Sequence, residues 1–111
     1  MPKESAVSYL PKPFKKFIAS YPEINGLYEK LALACHNAGP LDEKTRRLVK
    51  LGISIGQQSE GATKSHARRA LDGGATADEV RHTVLLALTT VGFPGMTAAG
   101  LWVEEVLSNR S

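Results

Sequence analysis

Residues 65–80 read SHARRALDGGATADEV, and this stretch contains the end of one helix and the start of the next. The pair Gly73-Gly74 follows a run of helix-forming residues, and glycine is the usual residue just past a helix end. Thr76 is followed by Glu79 in the pattern of a capping box, in which two side chains satisfy backbone N–H groups at a helix start. The stretch therefore predicts two consecutive helices separated by a glycine turn.

The flanking segments also carry helical signals. Upstream, Ser59 is a predicted start for a helix that continues from Glu60 to Leu71. Asp42 is a suitable cap for the preceding helix, which is apolar on nearly all sides and is therefore expected to be central. The residues that give that helix its apolar character are Leu48, Val49, Leu51, Gly52, Ile53 and Ile55.

The rest of the chain is predicted to form an N-terminal arm and further helices. Residues 1–12 contain two prolines and no clear periodicity, and we predict an N-terminal arm there. Ser20 is a candidate cap for a helix with Pro22 in its first turn. The break Gly92-Phe93-Pro94-Gly95 predicts a last helix from about Met96 to Leu107. No segment alternates with period two, so the expected fold is a single all-α domain of five to six helices spanning residues 1–111.

Composition excludes several classes of function. The net charge of +3 comes from 14 Lys and Arg spread along the chain, whereas nucleic-acid binding usually needs a dense basic stripe, so no nucleic-acid partner is expected. The sequence lacks both a signal peptide's apolar core and a run of about 20 apolar residues that could span a membrane. We therefore expect a cytoplasmic protein without a membrane partner.

Cysteine and histidine usage argue against metal and redox chemistry. Cys35 is the only cysteine, so no intrachain disulfide and no four-cysteine zinc site can form. The histidines at positions 36, 66 and 82 are far apart, and no His-x3-His spacing occurs. We expect neither a metal nor a cofactor.

From Leu41 onward, the order of these signals resembles the carboxymuconolactone decarboxylase and alkylhydroperoxidase D-like families. The matching pieces are LDEKTR at 41–46, SHARRAL at 65–71, GAT at 74–76 with DEV at 78–80, and GFP at 92–94, which is followed by a helix of small residues. The resemblance implies an antiparallel helical domain that assembles with copies of itself as a homotrimer or homohexamer.

The chain departs from both branches of this resemblance. The redox branch has a Cys-x-x-Cys pair before a histidine and a glutamate one helix earlier. Aligned on His66, those positions are Ser59, Ala62 and Arg47, so the dithiol mechanism is not expected, because it requires an ionised thiol. The decarboxylase branch has a glutamate four residues before the histidine, where this chain has Ala62. Glu60 could substitute only if the backbone turns it inward.

A candidate site is expected around His66. On a helix, Thr63 and His66 share a face, and Ser59 lies a further turn back. Histidine can transfer a proton near neutral pH, and arginine or lysine can hold an anionic group. The predicted catalytic residues are His66 and Glu60, and the predicted ligand-binding residues are Arg47, Ser59, Thr63 and Lys64. In the simpler interpretations, His66 is a packing residue and Glu60 pairs with Lys64 on the surface.

Three functions stay open at this point. The first is acid–base chemistry without a cofactor on a small acidic or lactone substrate, as in a decarboxylase or lyase. The second is a non-catalytic oligomeric module that keeps the scaffold and binds a small ligand or a protein. The third is peroxidase activity through Cys35, which lacks a second cysteine to resolve an oxidised sulfur.

Overall fold

The computed structural model describes residues 12–110 and confirms the all-α prediction. These residues form six helices of 9 residues or more, one 4-residue helix and no strand. The helices are α1 (Lys12–Ser20), α2 (Pro22–His36), α3 (Glu43–Gly56), α4 (Glu60–Asp72), α5 (Ala77–Leu86), α6 (Leu88–Val91) and α7 (Phe93–Ser108). None of the helices in this part of the chain has both the length and the apolar character that crossing a membrane requires.

The chain divides into two compact units between Asp42 and Glu43. In the first unit α1 and α2 contact each other, and the rings of Phe17 and Tyr21 lie 5.4 Å apart between centroids. The predicted role of Ser20 as a cap is wrong, because Ser20 is the last residue of α1 and Tyr21 precedes α2 without a side-chain cap bond. The predicted arm lies outside the described residues except for Lys12, which begins α1.

In the second unit α3, α4, α5 and α7 pack around a common core. Several core positions are alanine, which allows the helix backbones to approach closely. The buried apolar residues are Leu51, Ile55, Ala67, Ala70, Ala75, Val80, Val84, Ala87, Ala99, Val103 and Val106.

The helix α3 packs against α4, α5 and α7, as expected of a central helix, but it is not buried on all sides. Leu51 and Ile55 are fully buried, but Val49 is 45% exposed and Ile53 is 59% exposed. In this unit α3 covers the core with only one face, so its second apolar stripe lies at the surface.

The glycine turn and the capping box occur where the sequence predicts them. After α4 the chain turns through Gly74, whose φ of +104° is readily accessible to glycine. The Glu79 backbone N–H donates to the Thr76 hydroxyl at 3.1 Å, and the Thr76 N–H donates to the Glu79 carboxylate at 2.9 Å. Together these bonds satisfy two backbone N–H groups at the start of α5.

The last helix begins three residues earlier than predicted. It starts at Phe93, directly after Gly92, whose φ is +91°, and includes Pro94 in its first turn. Proline is tolerated there because the first N–H groups of a helix have no partner within it. The break was therefore placed correctly, but the helix begins at Phe93 and Pro94 lies in its first turn instead of preceding it.

Candidate functional site

The start of α4 is organised by Ser59, which is its N-cap. The Ser59 hydroxyl accepts a hydrogen bond from the Ala62 backbone N–H at 3.3 Å. The predicted helix start is confirmed. The hydroxyl also serves the backbone, so a ligand there would share it with the cap.

Glu60 and Lys64 form an ion triad with Glu105 of α7. The Lys64 ammonium lies 2.8 Å from a carboxylate oxygen of each glutamate, and its own side chain is 17% exposed. The hydrogen bonds with Glu105 and Glu60 raise the pKa of Lys64, so it stays charged. The triad attaches the first turns of α4 to α7, and the Glu60 side chain, 55% exposed, contacts Lys64 there.

His66 lies one helical turn after Thr63, on the partly buried side of α4. Its Nδ1 atom is buried and has no hydrogen-bond partner among residues 12–110. Burial is the largest cause that lowers the pKa of His66, and together with the positive charges of Arg69, Lys50 and Arg47 it brings the value to about 4. At neutral pH the imidazole is therefore uncharged and surrounded by cations.

Thr63 adds a second buried polar atom to the same helix. The side chain is fully buried, and its hydroxyl makes no hydrogen bond within the described part of the chain. Buried polar groups are hydrogen-bonded in the great majority of cases, and the exceptions call for an explanation such as a bound water or a catalytic role. Thr63 and His66 therefore mark the α4 face on which a polar partner is expected.

Arg47 reaches α4 from α3. Its Nε donates to the Glu43 carboxylate at 2.7 Å, and its side chain is 25% exposed. Its aliphatic stem lies against the end of α4 at Gly73. The Nε bond leaves the terminal guanidinium nitrogens as the donors that an anion would meet.

Sequence reasoning did not single out Lys50 and Arg69 as site residues, although both charges act on His66. Arg69 follows His66 by three residues and Lys50 follows Arg47 by three, so helical spacing places each near a residue that was already a candidate. The contact between α3 and α4 that joins the two pairs is a tertiary feature that spacing alone does not give.

Two surface grooves of the second unit are lined by residues other than His66. A groove of about 510 Å³ lies between α3 and α5, with Gly52, His82 and Leu86 among its lining residues. One of about 260 Å³ lies between α5 and α7, beside Leu85 and Met96. We base the candidate site on His66 instead, because the unpartnered polar atoms and the perturbed titration occur there.

Other titratable residues lie elsewhere in the structure. Cys35 is exposed on α2, and His82 is exposed on α5. Residues 12–110 contain no cluster of three or more His, Cys, Asp or Glu side chains that could hold a metal ion. The chemistry that this arrangement supports is proton transfer at a neutral imidazole, next to positive charges that favour an anion.

Comparison with known proteins gives a family and several distant relatives. A nitrosuccinic acid decarboxylase of Metarhizium robertsii is 33% identical over 69 residues, which is 62% of this chain and 48% of that protein. An uncharacterised protein of Methanocaldococcus jannaschii is 28% identical over 87 residues, covering 78% of this chain and 84% of its own length. One from Haemophilus influenzae is 30% identical over 63 residues, with coverages of 57% and 56%.

The chain thus spans about half the length of the Metarhizium decarboxylase. No solved structure matches significantly. The profile of the carboxymuconolactone decarboxylase family matches residues 22–105, which is most of the chain and includes α2 and the whole candidate site. On this evidence the chain belongs to the carboxymuconolactone decarboxylase family.

Proposed function

We propose that this protein carries out acid–base chemistry, without a cofactor, on a small acidic or lactone substrate, and that decarboxylation is the reaction. The observation that carries the proposal is His66, a half-buried imidazole with an unpartnered Nδ1 among three cations. A perturbed titratable group of this kind is characteristic of sites that move protons. Membership of the family and the decarboxylase among the relatives support the choice of reaction.

The cations give the site its preference for an anion. Lys50 and Arg69 place positive charge near His66, and Arg47 adds a planar guanidinium that can bind a carboxylate in a bidentate manner. A bound anion would offset these charges and so raise the affinity of His66 for a proton. Substrate binding would thereby bring a proton to the imidazole.

In the proposed reaction, the bond between the substrate carbon and its carboxylate breaks and CO₂ leaves. The electron pair stays on the carbon, and the proton held by His66 is transferred to that carbon, which restores a neutral imidazole. Water then supplies the next proton. Thr63 and Ser59 offer hydroxyls on the adjoining turns, and Lys64 with Glu60 lies at the start of the same helix.

The test is CO₂ release from a panel of small dicarboxylates and lactone carboxylates, with nitrosuccinate included. We expect His66→Gln to abolish release while the helical circular dichroism spectrum is retained, and Glu60→Gln to reduce it. His82→Gln, which alters an exposed histidine of α5, is the matched control and should leave the rate unchanged. An unchanged rate in His66→Gln would remove His66 from the mechanism.

The alternative of a non-catalytic ligand-binding module predicts a different result in the same panel. A ligand at a hundred times its dissociation constant stabilises the folded state by about 2.7 kcal/mol. A thermal shift that depends on His66 without any CO₂ release would favour this alternative over decarboxylation.

A further inference from the structure

We infer that Gly73 is a positioning residue for Arg47: its missing side chain leaves the space in which the arginine stem crosses the end of α4. The inference rests on the proposed function in so far as Arg47 holds the substrate's anionic group. It concerns a position that the reaction itself does not touch.

The distances at Gly73 show that a side chain there would be tightly packed against Arg47. A Cβ atom added there would lie 3.1 Å from Cγ of Arg47 and 3.3 Å from the carbonyl oxygen of Arg69. Both separations are shorter than ordinary van der Waals contact, and the Arg69 carbonyl belongs to the helix backbone. The Arg47 stem, which is the more flexible of the two neighbours, would therefore have to shift by a few tenths of an ångström.

Backbone conformation does not explain this glycine. Gly73 has φ of −86° and ψ of 9°, which an L-residue can adopt without strain. The next residue, Gly74, has φ of +104° and supplies the turn. The two neighbouring glycines therefore have separate roles. Gly74 allows the chain to turn, and Gly73 leaves space for the Arg47 side chain.

Arg47 is held from two directions. Its stem lies on Gly73, while its Nε donates to Glu43 at 2.7 Å. The stem contact and the Nε bond together limit the rotamers of the side chain and thus fix the place of the charge that acts on His66. Displacing the stem away from α4 would also carry that charge away from His66, which is on α4.

The experiment is a double-mutant cycle of Gly73→Ala and Arg47→Ala, with two readouts that need no substrate. The first is the thermal unfolding midpoint, and the second is the titration midpoint of the His66 imidazole followed by NMR. The charged groups near His66 are Arg69 on its own helix and Lys50 and Arg47 on α3. The acidic groups Glu105 of α7 and Glu79 of α5 are bound to Lys64 and Lys44.

In the wild-type background, we expect Gly73→Ala to lower Tm by roughly 4–8 °C and to raise the His66 midpoint. In the Arg47→Ala background the Cγ atom is absent, so Gly73→Ala should lower Tm by a smaller amount. It should also leave the His66 titration midpoint equal to that of the Arg47→Ala single variant. Gly56→Ala is the matched control, because a Cβ at that helix end meets nothing within 4 Å. Gly56→Ala should change Tm and the His66 titration midpoint by the same amounts in both backgrounds.

Equal effects of Gly73→Ala in both backgrounds, or no movement of the His66 midpoint in either, would overturn the inference. Should Gly73→Ala alone fail to fold, a folded Gly73→Ala/Arg47→Ala double variant supports it. An unfolded double variant contradicts it, since the Arg69 carbonyl would then be the obstacle. Because neither readout uses a substrate, a failure of CO₂ release would remove the proposed function and leave the positioning result standing.

Discussion

At the scale of single residues, His66 is the group whose chemistry depends most on its neighbours. In water an imidazole gains and loses its proton near pH 6.5. Here burial, together with three nearby cations, lowers the pKa of His66 to about 4. A residue that would be partly protonated at physiological pH is therefore kept neutral in the folded protein.

This shift makes the stability of the protein depend on pH. Between pH 6.5 and about 4 the unfolded chain binds a proton at His66 that the folded chain does not, so stability decreases as the pH falls through this window. We expect a loss of roughly 1–3 kcal/mol, which His66→Gln should remove. Urea unfolding at a series of pH values measures it, with His82→Gln as the control. The same pH slope in wild type and His66→Gln would show that His66 titrates normally.

At the scale of the helices, the start of α5 depends on residues from two parts of the chain. Glu79 accepts the Thr76 N–H at 2.9 Å and also accepts a bond from Lys44 of α3 at 2.9 Å. One carboxylate thus completes the capping box and ties α5 to α3. The local motif is strengthened by a partner that lies 35 residues away in sequence.

Loss of this cap should have a measurable cost. Thr76→Ala removes the hydroxyl that accepts the Glu79 N–H, and we expect the free energy of unfolding to fall by about 0.5–2 kcal/mol. Thr97→Ala is the control, because the Thr97 hydroxyl is exposed and donates only to the Pro94 carbonyl of its own helix. If the two variants lose equal free energy of unfolding, the capping box contributes no more to stability than the hydroxyl of an ordinary surface threonine. Chemical denaturation monitored by circular dichroism distinguishes these outcomes.

At the scale of the whole molecule, the second unit carries many apolar side chains at its surface. The large apolar residues of this unit that are at least half exposed are Ile53, Leu85, Leu86, Phe93 and Leu101. Where exposed apolar side chains form a contiguous patch, the patch commonly marks an interaction site. We propose that copies of the chain associate through it, and the trimer or hexamer implied by the family resemblance stays a prediction.

Sedimentation velocity tests this association. Leu101 is 73% exposed on α7, so Leu101→Glu should leave the fold intact and shift the protein toward smaller species. Asn109→Glu introduces the same charge at an exposed polar position just beyond the end of α7 and should not change the assembly. A wild-type protein that sediments as a monomer across the concentration range would remove the proposal.

The sequence by itself determined the helices and most of their ends. The Ser59 cap, the Thr76–Glu79 capping box and the glycine turn are local features, since each is satisfied by backbone groups within a few residues. The errors at helix starts are at Ser20, which ends α1 instead of capping α2, and at Pro94, which lies inside the first turn of α7. His66 could also be picked out, because its spacing relative to Thr63 and the family pattern both point to it.

Only the tertiary structure decided the electrostatic setting of His66 and the burial of α3. Lys50 acts on His66 because α3 packs on α4, and Lys64 is held by Glu105 because α7 packs there too. Apolar periodicity predicted a helix at α3, yet which stripe of it is buried depends on the helices beside it. Coulombic and packing interactions depend on distances between segments that are far apart in sequence, and those distances are fixed only when the helices assemble.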